Sequence, residues 1–211
     1  KRVSENKSVV NIYTDIEMPL LPVLSNIERN GVLIDPNQLH ILSKDLEKSL
    51  REIQKKCFKI TGKEFNLNSP KQLQEILYID MEIPVTKKTP TGKPSTNEDT
   101  LQFLAQSHEL PALILDYRSL NKLKTGYTDK LPLQISKKSG RVHTSYQQAI
   151  TSTGRLSSTE PNLQNIPIKS LQGKKIRNAF VSEPGKKIFA ADYSQIELRI
   201  MAHLSNDSNL L

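Results

Sequence analysis

The sequence has few of the residues that build cross-linked, metal-bound or membrane-spanning proteins. Its 211 residues include one cysteine, Cys57, so no disulfide can form within the chain and a reducing compartment is expected. The four histidines are scattered, which excludes the close Cys/His spacing of a zinc site. No run of about 18 apolar residues exists, and the opening KRVSENKS does not resemble a signal peptide. Neither a membrane span nor a leader is therefore expected.

What the sequence does have is positive charge. Thirty Lys and Arg against 22 Asp and Glu give a formal net charge of +8. A basic surface of this size favours a polyanionic partner, either nucleic acid or an anionic membrane, although a merely lysine-rich protein has the same balance. A membrane-surface role for the lysine-rich stretch 36–61 fits poorly, because Asp45, Glu47 and Glu52 interrupt it.

The spacing of apolar residues predicts a mostly helical region over residues 13–110. The first helix should end at Gly31, since glycine favours helix termini. A second, long amphipathic helix is predicted over 36–61, with Asp35 as its cap and an end near Gly62. Ser69 is predicted to cap a shorter helix, and a basic loop is predicted over 84–96. Ser95 and Glu98 have the spacing of a capping box for a helix over 96–107. Pro111 should open a further helix, with a break near Gly126.

After Leu131 the sequence changes to short alternating runs. GRVHTSYQQAITSTGRLSS, residues 140–158, is rich in Thr, Ser, Val and Tyr and predicts strand. KKIRNAFVSEPGKKIFAAD, residues 174–192, predicts two strands joined by a turn, and a helix is predicted from Ser194 onward. The sequence therefore predicts an α+β fold in which a helical region leads into strands and a further helix.

The stretch IFAADYSQIELRIMAHLS, residues 188–205, contains two acids in an apolar setting. A predicted strand ends at Asp192, and Glu197 follows inside a helix that Ser194 would cap. An aspartate in this place is most often only a helix cap. It is also a rigid mount for a hard oxygen ligand, and Mg²⁺ takes one or two carboxylates together with substrate phosphates. Both interpretations stay open at this point.

Basic clusters flank a polar loop that precedes these acids. Residues 111–141 hold seven Lys/Arg and two Asp, and residues 169–187 hold six Lys/Arg and one Glu. Between them TSTGRLSSTEPNLQNIP, residues 151–167, carries Arg155 among small polar and amide side chains. Lysines hold phosphates, whereas arginine and amide side chains reach base edges, so the combination indicates contact with nucleic acid. A polar surface loop with one arginine is the simpler alternative.

Several of these stretches resemble motifs of the family A DNA polymerases. DYSQIELRIMAHLS is similar to the first metal-binding motif of that family, and TSTGRLSSTEPNLQNIP to the palm loop that precedes it. IEMPLLPVLSNIERNGVLID, YRSLNKLKTGYTDKLP and GRVHTSYQQA follow the order of the family, so the resemblance extends over residues 13–211. It implies an incomplete right-hand architecture: a linker from an upstream exonuclease-like domain over 1–35, a helical thumb over 36–130, and the start of an antiparallel-sheet palm over 131–211.

The resemblance implies template-directed DNA synthesis, in which a primer 3′-OH attacks the α-phosphate of a deoxynucleoside triphosphate. The implied cofactor is Mg²⁺, two ions in the complete site, and the implied partners are primer–template duplex DNA and deoxynucleoside triphosphates. A monomer in the bacterial cytoplasm, associated with the nucleoid, is expected.

The same resemblance places other parts of a polymerase outside this sequence. The fingers and the second catalytic aspartate would follow Leu211, and the exonuclease carboxylates would precede Lys1. The 211 residues alone are therefore expected not to polymerise. The alternative is a non-catalytic module that binds duplex DNA.

The functional positions of the family carry over to named residues of this chain. Asp192 would bind both metal ions, the backbone carbonyl of Tyr193 would bind one, and Glu197 would lie under the incoming sugar and exclude a 2′-OH. Arg155 would hydrogen-bond in the minor groove at the primer terminus. The remaining implied positions are Gln195 and Arg199 as support for the metal-binding motif, Asn162, Gln164 and Asn165 as DNA contacts in the palm loop, and Arg118, Lys122 and Lys124 as phosphate contacts in the thumb.

Overall fold

The computed structural model describes residues 7–210, and the chain divides into two compact units, Lys1–Val181 and Ser182–Leu211. The described part of the first unit is mostly helical and contains two short antiparallel strand pairs. The described part of the second unit contains one helix. The predicted α+β class is confirmed. The division after Val181 differs from the predicted boundary between thumb and palm near residue 130, which stays a prediction.

The first helical run ends at Gly31, as predicted. α1 (Lys7–Ile12) passes through a π-helical turn (Tyr13–Glu17) into α2 (Met18–Asn30). Gly31 has a φ of 60°, and a Cβ at this position would lie 2.7 Å from the carbonyl oxygen of Val142 and 2.8 Å from the ring of His143. Glycine is therefore required here by both its backbone conformation and the close approach of a second segment.

α3 (Pro36–Thr61) is the longest helix, and both of its ends match the prediction. The Oδ1 of Asp35 accepts hydrogen bonds from the backbone N–H groups of Asn37 at 2.9 Å and Gln38 at 3.3 Å. The pKa of the Asp35 carboxyl is lowered mainly by the hydrogen bond from the Gln38 side chain, and the hydrogen bond from the Gln38 backbone adds to the effect. Gly62 ends the helix in the left-handed conformation, with a φ of 69°.

Four further helices, α4 to α7, follow α3 along the chain, with a long loop between α4 and α5. Ser69 caps α4 as predicted, because its Oγ accepts a hydrogen bond from the N–H of Gln72 at 3.4 Å. The bounds are α4 (Pro70–Glu75) continuing into a π-helical turn (Ile76–Asp80), α5 (Glu98–Leu104), α6 (Glu109–Leu123) continuing into a π-helical turn (Lys124–Thr128), and α7 (Lys130–Leu133).

Two of the predicted helix starts in this region are wrong. Asn97, not Ser95, caps α5: its Oδ1 accepts from the N–H of Thr100 at 3.0 Å, whereas the Ser95 Oγ accepts from the N–H of Asn97 at 3.3 Å. An asparagine side chain reaches the free N–H groups of a first turn as well as serine does, and here it stands nearer to them. α6 begins at Glu109, because Pro111 fits within a first turn and does not have to open it.

Within residues 7–210, four short strands form two antiparallel pairs. β1 (Leu33–Ile34) pairs with β4 (Phe180–Val181), with Leu33 opposite Val181. β2 (Ser145–Gln147) pairs with β3 (Ser157–Thr159), with Tyr146 opposite Ser158. The strand predicted over 140–158 is thus confined to a short pair that brackets the loop of Arg155.

The two strands predicted over 174–192 are mostly wrong. Residues Leu171–Asn178 form α8, since the Ser170 Oγ accepts from the N–H of Gly173 at 3.0 Å and caps the helix. Only Phe180 and Val181 form strand. Residues 186–193 have no strand partner within the described chain, and Phe189 is 89% exposed, so the predicted central strand is absent there.

α9 (Ile196–Ser205) forms the helix of the second unit. The residue that precedes it is Gln195, which has a φ of 55° and makes no side-chain capping bond. The predicted cap at Ser194 is therefore wrong, because the left-handed residue between Ser194 and the helix displaces the serine from the capping position.

Two clusters of buried apolar residues form the core of the first unit, and α3 contributes to both. Its first half supplies Leu39, Leu42 and Leu46 to one cluster, and its second half supplies Cys57 to the other. Cys57 is fully buried and packs in this core, and burial raises the pKa of its thiol to about 11. Within residues 7–210 no helix has the length and apolar character needed to span a membrane.

Candidate nucleic-acid interface and metal-binding segment

A polar groove of about 660 Å³ lies beside the second half of α6 and is called here the α6 groove. The start of α4, the end of the 84–97 loop and the cap of α5 form its other walls. Its lining contains no aliphatic side chain except a proline. The lining residues are Asn68, Pro70, Gln74, Thr89, Ser95, Thr96, Asn97, Arg118, Asn121, Lys122 and Thr125.

Arg118 is the partly buried cation of this groove. Its Nη1 donates a hydrogen bond to the carbonyl oxygen of Thr96 at 2.6 Å. Burial lowers the pKa of the guanidinium, which nevertheless stays protonated in proteins. The contact fixes the side chain in one place, so its remaining N–H groups have a defined direction.

Lys122 stands one helical turn after Arg118 and is exposed. Side chains at i and i+4 lie on the same face of a helix, so the two cations face the groove together. The wall opposite them is held by side chains that bond to backbone carbonyls: Gln74 Nε2 donates to Pro94 at 2.6 Å, and the Tyr78 hydroxyl donates to Ser95. The α6 groove is therefore a preformed polar surface with two cations.

Lys124 has a different environment from Lys122. Its Nζ lies 2.8 Å from Asp129 Oδ2 and 3.3 Å from Glu47 Oε2, and its side chain is only 17% exposed. The Ser43 hydroxyl donates to the other oxygen of Asp129 at 2.5 Å, and Arg51 binds Glu47 at 3.0 Å. The Lys124 ammonium thus already has two carboxylate partners.

The pKa values of this cluster reflect the pairing. The hydrogen bond to Asp129 is the main cause of the raised pKa of Lys124, and Glu47 adds to it. Burial alone would raise the pKa of Asp129, but hydrogen bonds from Lys124 and Ser43 outweigh it and lower the value. A phosphate contact by Lys124 stays a prediction, and it would require the lysine to exchange a carboxylate partner.

The four predicted palm contacts lie in the loop between β2 and β3 and in the segment that follows β3. Arg155, Asn162, Gln164 and Asn165 are all exposed. The Asn162 Oδ1 accepts from the N–H groups of Gln164 at 3.1 Å and Asn165 at 3.2 Å, which closes a tight turn. Thr144 secures the base of the loop, since its hydroxyl bonds to backbone carbonyls on the far side of the hairpin. The arrangement presents one arginine and three amides on an anchored loop.

The second unit carries the predicted metal-binding motif. Asp192, Tyr193 and Glu197 are exposed, and Tyr193 is 81% exposed. The Arg199 Nε donates to the carbonyl oxygen of Ser194 at 3.1 Å, so the arginine stabilises the turn that follows Tyr193. Gln195 lies at the start of α9.

The donors of this motif suit Mg²⁺ in kind but not in number. The carboxylate of Asp192 and the carbonyl of Tyr193 are hard oxygen ligands, which Mg²⁺ prefers. Over residues 7–210 no group of three or more His, Cys, Asp or Glu is arranged to hold a metal ion. A two-metal site requires further carboxylates, so a metal-binding role of Asp192 and Tyr193 stays a prediction.

Sequence reasoning missed several residues of these surfaces. Gln74 and Tyr78 fix a wall of the α6 groove through backbone carbonyls, and Thr151 bonds to the backbone of Arg155 at 2.6 Å. A bond from a side chain to a carbonyl 4–20 residues away leaves no periodic signal. The nearest signal in the sequence is for Asn97, which stands one residue before an acidic first turn.

Comparison with known proteins agrees with these features. The family model of DNA polymerase family A matches residues 36–211. DNA polymerase I of Pseudomonas aeruginosa is 56% identical over 205 residues, which are 97% of this chain and 22% of that protein. DNA polymerase I of Geobacillus stearothermophilus is 48% identical over 201 residues, 95% of this chain and 23% of that protein.

A solved structure is similar in fold as well as in sequence. The POL domain of Pol1 from M. smegmatis, in complex with DNA primer-template and dNTP, superposes with a TM-score of 0.84 at 40% identity, covering 95% of this chain and 35% of that chain. The present chain therefore spans about a quarter of the length of the curated relatives described above.

Proposed function

The chain belongs to DNA polymerase family A, and on this premise we propose that it forms the thumb and the first metal-binding motif of a template-directed DNA polymerase. Because it spans about a quarter of its curated relatives, the activity is proposed for the complete polymerase. The proposed division is a linker over 1–35, a thumb over 36–130 and the start of the palm over 131–211.

The proposed reaction joins the primer 3′-oxygen to the α-phosphorus of a deoxynucleoside triphosphate and releases pyrophosphate. Two Mg²⁺ ions, when bound, would stabilise charge on the attacking and leaving oxygens. Asp192 and the carbonyl of Tyr193 are the groups of this chain that would hold them. Glu197 would occupy the space beside the sugar and so reject a 2′-OH, while Gln195 and Arg199 would support the motif.

The observation that carries the proposal is the α6 groove. A duplex presents a regular row of phosphates, which Lys and Arg bind without reading sequence. Arg118 is fixed by its bond to Thr96, and Lys122 is exposed beside it, so both fit phosphate contacts. Lys124 is proposed as a weaker contact, because its carboxylate partners compete with phosphate.

The palm loop fits a second kind of contact. Minor-groove acceptors are shared by all correct base pairs, so a donor aimed at them checks the shape of a pair without reading its identity. Arg155 would make this contact at the primer terminus, and Asn162, Gln164 and Asn165 are exposed on the segment that follows β3. We expect a monomer that works in the bacterial cytoplasm on nucleoid DNA, since the relatives described above come from bacteria.

Primer extension by the complete polymerase tests the proposal. Asp192→Asn should lower extension at least about 100-fold, because it removes the charged oxygen ligand that would hold the Mg²⁺ ions. Duplex affinity should change by less than about twofold, since lysines and arginines supply most of it. Asp207→Asn, a change of another exposed acid in the same unit, should leave both quantities unchanged.

Three other outcomes would be informative. Normal extension by Asp192→Asn would remove this residue from the reaction. Duplex binding without extension by the unmodified polymerase would favour the non-catalytic DNA-binding module. The 211 residues alone should bind duplex DNA without extending a primer, and extension by them would contradict the proposal that they hold only part of the metal site.

A further inference from the structure

The peptide groups on the carboxyl side of Arg155 and of the next residue are both held by side chains. The Thr151 hydroxyl donates to the carbonyl oxygen of Arg155 at 2.6 Å. The Gln164 Nε2 donates to the carbonyl oxygen of Leu156 at 3.1 Å. Two consecutive carbonyls of an exposed loop are thereby fixed from two different segments of the chain.

We propose that Thr151 and Gln164 are positioning residues that clamp the backbone of Arg155 and so aim its guanidinium at the primer terminus. The inference rests on the proposed role of Arg155 in the minor groove. It adds a structural reason why the guanidinium of Arg155 points toward the primer terminus. It also changes the expected role of Gln164, whose amide N–H is directed at protein backbone.

The loop needs such a clamp because its local sequence favours mobility. Residues 152–155 are all exposed, and Gly154 has a φ of 74°. A Cβ added at Gly154 would have no atom within 4 Å, so packing restrains this residue little. Ordering the backbone of an exposed loop costs conformational entropy. A clamp that is already made in the free protein removes that cost from the step in which Arg155 engages its target.

The Gln164 arm of the clamp stands on an anchored segment, whereas Thr151 belongs to the loop itself. Gln164 follows the turn that Asn162 closes, and the N–H of Leu163 donates to the Ser158 hydroxyl at 3.1 Å. Ser158 is fully buried within β3, which pairs with β2. The direction of Gln164 is therefore set by the hairpin, and through Gln164 the hairpin sets the direction of the Arg155 loop.

A double-mutant cycle in the complete polymerase tests this inference. Thr151→Val keeps the shape of the side chain and removes its donor, so single-turnover extension should slow about two- to tenfold, the range of one lost hydrogen bond. Duplex affinity and Tm should stay unchanged, because the bond lies in an exposed loop. Thr151→Ser should restore the rate, and Thr153→Val, which changes an exposed threonine of the same loop, should have no effect.

The decisive measurement repeats these changes in an Arg155→Ala background. If Thr151 acts through Arg155, Thr151→Val should cause no further loss there, and Gln164→Met should behave in the same way. A loss of equal size in both backgrounds would overturn the inference. For Gln164, that outcome would instead indicate a direct contact with DNA.

The cycle also separates the two levels of the proposal. If Arg155→Ala alone leaves extension unchanged, the minor-groove role of Arg155 fails, and the inference fails with it. If Arg155→Ala slows extension while Thr151→Val and Gln164→Met do not, the role of Arg155 stands and only the clamp is refuted.

Discussion

Lys122 and Lys124 are two lysines of one helical run whose substitution should have opposite consequences. Lys122 is exposed in the α6 groove, whereas Lys124 is 17% exposed and bonded to Asp129. Lys122→Gln should therefore weaken DNA binding and leave the fold intact. Lys124→Gln should destabilise the fold and leave DNA binding nearly intact.

The magnitudes follow from the two environments. Each phosphate contact to duplex DNA contributes a slope of about 0.9 to the fall of log K with log salt, so Lys122→Gln should reduce that slope by about 0.9. A hydrogen bond between charged groups contributes about 1.5–3 kcal/mol when buried, and the 40% exposure of Asp129 reduces this through solvent screening. We expect a loss of about 1 kcal/mol from Lys124→Gln, or a Tm lower by roughly 2–4 °C.

The assay is equilibrium binding of the complete polymerase to a fluorescent primer–template at several salt concentrations, with thermal unfolding of the same samples. Lys55→Gln changes an exposed lysine outside the α6 groove and outside both basic clusters, and it serves as the control. An unchanged slope for Lys122→Gln would show that the α6 groove does not hold phosphates. An equal fall for Lys124→Gln would show that Lys124 leaves Asp129 when DNA binds.

Three further predictions concern the stability and reactivity of the chain. Gly31→Ala should cost about 2–4 kcal/mol in the free energy of unfolding, because a left-handed φ and the close carbonyl of Val142 both oppose a Cβ. Gly126→Ala should cost little, since a Cβ added at Gly126 has no atom within 4 Å. Equal losses for the two variants in denaturant titrations would refute the argument. The pKa of about 11 should keep Cys57 unreactive toward iodoacetamide near neutral pH until the chain unfolds, and rapid labelling of the native protein would contradict its burial. The pKa of Asp129 is lowered in the folded chain, so its carboxylate stabilises the fold above the ordinary value of 3.8, and this stabilisation is lost as pH falls through the folded value. Asp129→Asn should therefore make the free energy of unfolding depend less on pH in the acid range. An unchanged dependence would show that the pKa of Asp129 is the same in the folded and unfolded chain.

Helix ends could be predicted where the signal is local. Asp35 and Gly62 stand at the ends of α3 because the cap and the left-handed terminus each depend on one residue and its immediate neighbours. Ser95 failed as a cap because three candidate capping residues, Ser95, Thr96 and Asn97, are adjacent, and sequence alone does not say which of them caps the helix. The Ser170 cap of α8 was present in the sequence, but the turn predicted within 174–192 favoured a strand on each side of it.

The strand predicted before Asp192 shows a different limit. A strand needs hydrogen-bond partners for its backbone groups, and the periodicity of residues 186–193 contains no information about where a partner lies. The predicted metal-binding motif was placed by resemblance, not by periodicity, so its residue types could be named while their geometry could not. Contacts such as Arg118 with the carbonyl of Thr96 join residues far apart in sequence, and no local pattern encodes them.

The π-helical turn Lys124–Thr128 preserves the angular relation between the two ends of one helical run. Leu123 directly before the turn, Tyr127 within it and Leu131 after it all belong to the same buried cluster. A π turn holds one residue more than an α turn, whereas each residue of an α-helix advances the side-chain direction by about 100°. The turn therefore absorbs its extra residue without changing the direction of the side chains that follow. Deletion of one residue from the turn should leave an ordinary α turn and keep Leu131 in the core, because a spacing of seven residues brings a helical side chain back to nearly the same face.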